Sequence, residues 1–105
     1  MTNTTAHVDT FARDNLPRAE TLPEFLLDGF DYPSELNIGT ELTDAMVTKG
    51  FGDHTALIGN GRRRTYKELS DWTNRIAHVL VDDIGVLPGN RVLIRSANNP
   101  AMVAC

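Results

Sequence analysis

The chain has 105 residues, of which 41% are hydrophobic, so it is large enough for one small globular domain at most. The net charge is −4, from 10 basic and 14 acidic residues spread fairly evenly, which argues against a basic face that binds nucleic acid. No apolar run approaches the ~20 residues of a membrane span, and no secretory leader is recognisable at the N-terminus. The single cysteine, Cys105, can form no internal disulfide, so we expect a reducing, cytoplasmic environment.

Residues 1–35 show no sustained hydrophobic period. Pro17, Pro23 and Pro33 each push the preceding residue toward an extended conformation, while Phe30 and Tyr32 could anchor the segment. We therefore expect an extended N-terminal arm that lies over a larger body. A partly disordered terminus is the alternative.

The next stretch carries signals for a helix and a hairpin. Asn37 is a suitable N-cap for a helix that Gly50 and Gly52 end. Residues 55–58, Thr-Ala-Leu-Ile, then favour a strand. Asn60-Gly61 is a strong signal for a tight hairpin turn, so the three arginines that follow are predicted to form the return strand.

Residues 65–84 are predicted to form one amphipathic helix. Thr65 and Glu68 have the S/T-x-x-E spacing of a capping box. Gly85 suits the positive φ that follows a helix end, and Pro88 prevents the helix from resuming. Apolar side chains recur at steps of three and four and share one face: Leu69, Trp72, Ile76, Leu80 and Ile84.

Residues 91–95, Arg-Val-Leu-Ile-Arg, are short, β-branched and apolar on both faces, which is typical of a central strand in a parallel sheet. A parallel neighbour needs a crossover connection, and the preceding helix can supply it. We therefore predict an α/β fold that contains a β-hairpin, a crossover helix and a buried parallel strand.

Asn99 and Pro100 form an N-cap and first-turn pair for another apolar helix. A helix of a few residues is marginal in water, and a strand that is apolar on both faces needs neighbours on both sides. We therefore expect the chain to be the truncated opening part of a larger protein.

Groups with chemical potential are few. His7, His54 and His78 lie far apart in sequence and have no cysteine or carboxylate at metal-ligand spacing. The triplet Arg62, Arg63 and Arg64 could hold a phosphate, but charged residues on a hairpin edge are the commoner use.

The remaining candidates also have structural explanations. Residues 85–90 contain two glycines but lack phosphate-loop spacing, and they lead from helix to strand instead of strand to helix. Asn98 and Asn99 could contact an anion, yet helix capping accounts for them more simply. Cys105 has no visible base partner. We therefore predict no catalytic, cofactor-binding or metal-binding residue in this chain.

Several short motifs follow one another in a recognisable order. They are Thr-Tyr-Lys-Glu-Leu at 65–69, Asn-Arg-Ile-Ala-His-Val-Leu at 74–80, Pro-Gly-Asn-Arg-Val at 88–92 and Asn-Asn-Pro at 98–100. This order resembles the beginning of the adenylate-forming superfamily of AMP-dependent acyl-CoA ligases, whose first core motif is [TS]-Y-x-E-L after an apolar residue. Arg64 stands here in place of that apolar residue. In and just after the arm, four short segments look most like the benzoate and 2-aminobenzoate CoA ligase branch: Leu16-Pro17, Pro23-Glu24-Phe25, Tyr32-Pro33 and Leu36-Asn37.

The resemblance implies a ligase that uses ATP and Mg to convert a carboxylate, in this branch an aromatic one, into an acyl-adenylate and then transfers the acyl group to CoA. It implies that residues 36–105 open the large AMP-binding N-terminal domain, with residues 1–35 as its arm. The family's phosphate loop, ribose-binding acid, Mg-binding glutamate and catalytic lysine all lie further along the chain. No site residue is therefore carried over. We expect the 105 residues alone to be inactive and to need the rest of their own parent chain as partner.

Two other functions remain open from the residues. One is a stand-alone interaction module whose sheet edge and last helix are completed by a partner chain. The other is a small nucleotide-binding βαβ unit, which the lack of a phosphate motif disfavours.

Overall fold

A computed structural model describes residues 6–24 and 26–105. Phe25, which belongs to the arm motif quoted above, lies outside the described residues. The chain forms two compact units. One extends to Leu36 and includes Leu87–Arg91, and the other comprises Asn37–Val86 and Val92–Cys105. Within the described ranges, no helix combines the length and the hydropathy needed to cross a membrane.

The first unit contains little regular structure. Helix α1 spans Phe11–Asp14, and a single 3₁₀ turn spans Ala19–Thr21. The rings of Phe30 and Tyr32 stack on each other, with centroids 5.9 Å apart and planes within 4° of parallel. Both rings remain largely exposed, so they contact each other and not a core. The boundary between residues 35 and 36 stays a prediction.

The second unit opens with a helix that is interrupted. Asn37 caps it as predicted, since its side-chain oxygen accepts the Thr40 N–H at 3.1 Å. However, the single helix predicted to reach Gly50 is wrong, because Thr43 leaves the helical region at φ −123° and ψ −82°. The Thr43 hydroxyl donates to the Gly39 carbonyl at 2.7 Å, a back-bond that competes with regular helix. The result is α2 (Ile38–Leu42), α3 (Asp44–Met46) and a widened turn at Val47–Phe51.

The predicted hairpin is confirmed. Strands β1 (Thr55–Gly59) and β2 (Arg62–Thr65) pair antiparallel, with Gly59 opposite Arg62 and an irregularity between Thr55 and Leu57. Asn60 and Gly61 both have positive φ, at 53° and 69°, as a two-residue type I′ turn requires.

The long helix is also confirmed. Helix α4 spans Tyr66–His78 and continues into a π-helical turn at Val79–Asp83. Within this turn the Ile84 N–H donates to the Val79 carbonyl at 3.1 Å, five residues back. Gly85 then adopts φ +77°, which confirms its predicted role at the helix end. The Val86 N–H then donates to the Leu80 carbonyl at 2.9 Å, which caps the C-terminal end of the helix.

A small core forms around α4. Leu69 is 6% exposed and Ala104 is 2% exposed. Ser70 is buried and donates its hydroxyl hydrogen to Asp44 at 2.5 Å, which ties α4 to α3. Farther along the predicted apolar face, Trp72, Ile76 and Leu80 are only half-buried and Ile84 is exposed. The helix therefore buries its first turns and leaves its last turns open.

The structure corrects the prediction for residues 91–95. They form no strand, and no parallel pair exists among the described residues, whose sheet consists of β1 and β2 alone. Leu93 is 94% exposed, and Val92 and Ile94 are about half exposed. The physical reason is that a strand is held by hydrogen bonds to a neighbouring strand, and residues 91–95 pair with none. Beyond them, helix α5 (Pro100–Ala104) begins as predicted, with the Asn99 side chain accepting the Met102 N–H at 3.1 Å.

Candidate functional site

The junction between β2 and α4 is the best-defined local feature of the chain. Thr65 Oγ1 accepts the Glu68 N–H at 3.1 Å, and the Glu68 carboxylate accepts the Thr65 N–H at 2.8 Å. Both halves of the capping box predicted from sequence are thus present. The reciprocal bonds fix the point at which the hairpin becomes a helix, at the first residue of the Thr-Tyr-Lys-Glu-Leu motif.

Two of the three arginines just before this junction contact side chains of α4. The Arg64 guanidinium lies 4.4 Å from the centroid of the Trp72 ring, a cation–π contact. An Arg62 nitrogen lies 3.9 Å from a Glu68 oxygen. The shallow groove beside them mixes three cations with two carboxylates, and such mixed charge does not select for a phosphate. It is lined by Arg62, Arg64, Glu68, Asp71, Asn74 and Arg75.

A second groove runs along the open end of α4. It is mainly apolar and is lined by Trp72, Arg75, Ile76, Val79 and Leu80. Trp72, Ile76 and Leu80 are half-buried members of the predicted apolar face, whereas Arg75 and Val79 are exposed. The groove contains one cation and no carboxylate, so it offers packing surface but no pair of groups for acid–base chemistry.

The glycine turn after α4, residues 87–90, is closed by its own hydrogen bonds. The Leu87 N–H donates to the Asn90 side-chain oxygen at 2.9 Å, and the Asn90 N–H donates to the Leu87 carbonyl at 3.0 Å. Gly89 adopts φ +95°, which permits this tight geometry. The outward donors of the turn, the Asn90 amide and the Arg91 guanidinium, both contact the Asp9 carboxylate at 2.8 Å.

Sequence reasoning missed this Asp9 cluster. Its members are 82 residues apart at the widest, and no local pattern connects them. The Phe11 N–H, the Asn90 amide and the Arg91 guanidinium hold the pKa of the Asp9 carboxyl below its usual value, with desolvation acting in the opposite direction. The only sequence signal is Gly89, whose freedom at positive φ marks a place where backbone can approach closely.

The structure does not bring the histidines together at a metal site. His78 Nδ1 lies 2.9 Å from an oxygen of Asp82, one helical turn further on, and both side chains are exposed. The His54 ring contacts the Phe51 ring at 5.2 Å between centroids. Across the described ranges, no group of three histidine, cysteine or carboxylate side chains is arranged to hold a metal ion. Cys105 is an exposed free thiol.

The described residues do not fit the triphosphate of ATP. A phosphate cradle needs a run of free backbone N–H groups at the start of a helix. Here the Asn99 side chain already accepts the Met102 N–H at the start of α5, and the glycine turn spends its donors on itself and on Asp9. No step of nucleotide chemistry can therefore be assigned to these side chains.

Comparison with known proteins gives a match to a protein family. A family model described as "AMP-binding enzyme" matches residues 45–105. The matched range contains β1, β2, α4 and α5, and with them the capping box and the glycine turn. No curated protein and no solved structure matches the chain.

Proposed function

This chain belongs to the AMP-binding enzyme family, and on that premise we propose that it is the scaffold-building N-terminal portion of an AMP-forming acyl-CoA ligase. One observation carries the proposal. The family match spans residues 45–105, and within it the Thr-Tyr-Lys-Glu-Leu motif forms the capped hairpin–helix junction. Both the family match and the capped junction are expected if the chain is the N-terminal part of an adenylate-forming ligase.

The reaction proposed for the complete enzyme has two steps. A carboxylate oxygen of the acid bonds to the α-phosphorus of Mg-ATP and pyrophosphate leaves, which gives an acyl-adenylate. The CoA sulfur then bonds to the acyl carbon and AMP leaves, which gives a thioester. An aromatic acid of the benzoate or 2-aminobenzoate type is the proposed substrate, because the short segments that include Tyr32-Pro33 and Leu36-Asn37 resemble that branch.

The role proposed for these 105 residues is architectural. The capping box aims α4, Ser70 holds α4 to α3 through Asp44, and Gly59 lets α5 approach β1. The proposal places the groups that bind nucleotide and transfer the acyl chain outside these residues. It takes the rest of the parent chain as partner and the cytoplasm as compartment, without nucleic acid or membrane.

A second candidate is an interaction module without catalysis. Its support is the exposed apolar surface: Val92, Leu93 and Ile94, together with Met102 and Val103 of α5, present apolar side chains to solvent. A partner chain could cover this surface and complete the fold.

Calorimetry with Mg-ATP and an acyl-AMP assay with benzoate and 2-aminobenzoate separate the two candidates. The 105-residue chain should neither bind ATP measurably nor form an adenylate, whereas a longer chain that continues into the rest of the ligase should do both. Micromolar ATP binding by the 105 residues would overturn the architectural role. A longer chain that forms no adenylate with any carboxylate would overturn the ligase and leave the interaction module.

A further inference from the structure

Within the first unit, two segments far apart in sequence form a compact set of contacts. The first is the arm tip, Val8 to Asp14, and the second is the turn Leu87–Arg91. The Val8 and Asp9 N–H groups both donate to the Pro88 carbonyl at 2.9 Å. The Asp9 carboxylate accepts from Asn90 Nδ2 and Arg91 Nη1, each at 2.8 Å. Four hydrogen bonds thus join the arm tip to the turn.

The Asp9 side chain also organises the arm tip itself. Its other carboxylate oxygen accepts the Phe11 N–H at 2.9 Å, where α1 begins. The Arg91 guanidinium, besides binding Asp9, lies 4.4 Å from the centroid of the Phe11 ring. One carboxylate and one guanidinium therefore account for most of the side-chain contacts between the segments.

The backbone of the turn is shaped to accept the arm. A Cβ atom added to Gly89 would overlap the carbonyl oxygen of Asp9 and would lie 3.2 Å from the Asp9 nitrogen. A glycine is thus needed here on two counts, its positive φ of 95° and the close approach of the Asp9 backbone. Gly85, four residues earlier, has a similar φ of 77° but nothing within 4 Å of an added Cβ.

We propose that the turn Leu87–Arg91 is a docking site for this chain's own arm tip, and that Asp9 is the releasable latch. Docking satisfies the Pro88 carbonyl and the donors of Asn90 and Arg91. Release returns all of these groups to solvent and frees the arm tip from the turn.

The charges around the latch favour the docked state. Arg91 provides the opposing charge for Asp9. The other charged groups of α1, Arg13 and Asp14, face each other at 3.9 Å, and Asp14 also accepts the Thr10 hydroxyl. The Asp9 side chain is about a quarter exposed and the Arg91 side chain about half exposed, so solvent and salt weaken this ion pair.

Amide hydrogen exchange in the full 105-residue chain, read by NMR at Val8, tests the proposal. Asp9→Asn keeps the size of the side chain but removes the charge that pairs with Arg91. Its NH₂ group must also face another donor, either the Phe11 N–H or the Asn90 and Arg91 side chains. We expect Val8 to exchange roughly fivefold faster or more in this variant. Glu20→Gln, which removes an equal charge from an exposed part of the arm, should leave Val8 unchanged.

A second pair of variants tests the steric half of the docking site. Gly89→Ala should release the arm as Asp9→Asn does, whereas Gly85→Ala introduces the same backbone strain without touching Asp9 and should leave Val8 protected. Absence of Val8 protection in the unaltered chain, or equal exchange in both glycine variants, would overturn the proposal. So would protection that rises with protein concentration, because the arm would then dock on a second copy.

Discussion

Removal of the Thr65 hydroxyl is expected to lower the free energy of unfolding by about 1 kcal/mol. The Thr65→Ala variant loses the bond in which Oγ1 accepts the Glu68 N–H at 3.1 Å, while the Thr65 N–H keeps its bond to the Glu68 carboxylate at 2.8 Å. The orphaned N–H lies in an exposed part of the junction, so water can replace the hydroxyl. The cost therefore stays in the middle of the range for lost N-caps and does not reach its upper end of about 2 kcal/mol.

Urea denaturation followed by far-UV circular dichroism measures this loss, and 1 kcal/mol corresponds to a fall of roughly 4 °C in Tm for a chain of this size. Thr65→Ser retains the hydroxyl and should stay close to the unaltered protein. The loss should persist at high salt, because the nearby Arg62–Glu68 pair, at 3.9 Å and well exposed, adds little. Equal midpoints for Thr65→Ala and the unaltered protein would refute this reasoning, as would a Thr65→Ser variant as weak as Thr65→Ala.

Three further substitutions or conditions have defined outcomes. Gly59→Ala places a Cβ 2.7 Å from Pro100 Cγ, so urea titration should show a free energy of unfolding lower by about 1–3 kcal/mol. Gly85→Val should cost more stability than Leu87→Val in the same titration, because a β-branched residue fits φ +77° badly. Because folding lowers the pKa of Asp9, its contribution to stability is present above the unfolded pKa of about 3.8 and is lost as the pH falls through the folded pKa. An acid titration that follows the NMR chemical shifts of the arm amides should show this loss. Loss of the chemical shifts of the docked arm already near neutral pH would contradict the prediction.

Features fixed by residues within a few positions of one another were predictable from the sequence. The capping box at Thr65, the Asn60-Gly61 turn and the positive φ at Gly85 depend on local hydrogen bonds and steric limits, and the structure contains all three. The same holds for the cap at Asn99. In each case the partner that satisfies the backbone lies within one helical turn or one hairpin.

Features that depend on distant partners were not predictable. The apolar pattern of residues 91–95 indicates a strand, but pairing needs a neighbour and the described chain supplies none. The break at Thr43 arises because its hydroxyl competes for the Gly39 carbonyl, a choice that the apolar period of the segment does not reveal. The Asp9 latch joins residues up to 82 positions apart, beyond the reach of any local pattern.

The absence of site residues among the sequence predictions has a related cause. Candidate groups such as Arg62, His78 and Asn99 each have a partner in the structure that a pattern of local charge or capping already explains. A functional site needs side chains from distant parts of the chain to meet, and a sequence alone does not show which side chains tertiary packing brings together.

The architectural role is tested most directly by amide hydrogen exchange at Val92, Leu93 and Ile94, measured in the 105-residue chain and in a chain that continues into the rest of the proposed ligase. The account predicts fast exchange in the first, where these residues are unpaired, and exchange slower by about a hundredfold or more in the second, where later strands would pair with them. Exchange that stays fast in a longer chain able to form an acyl-adenylate would contradict it.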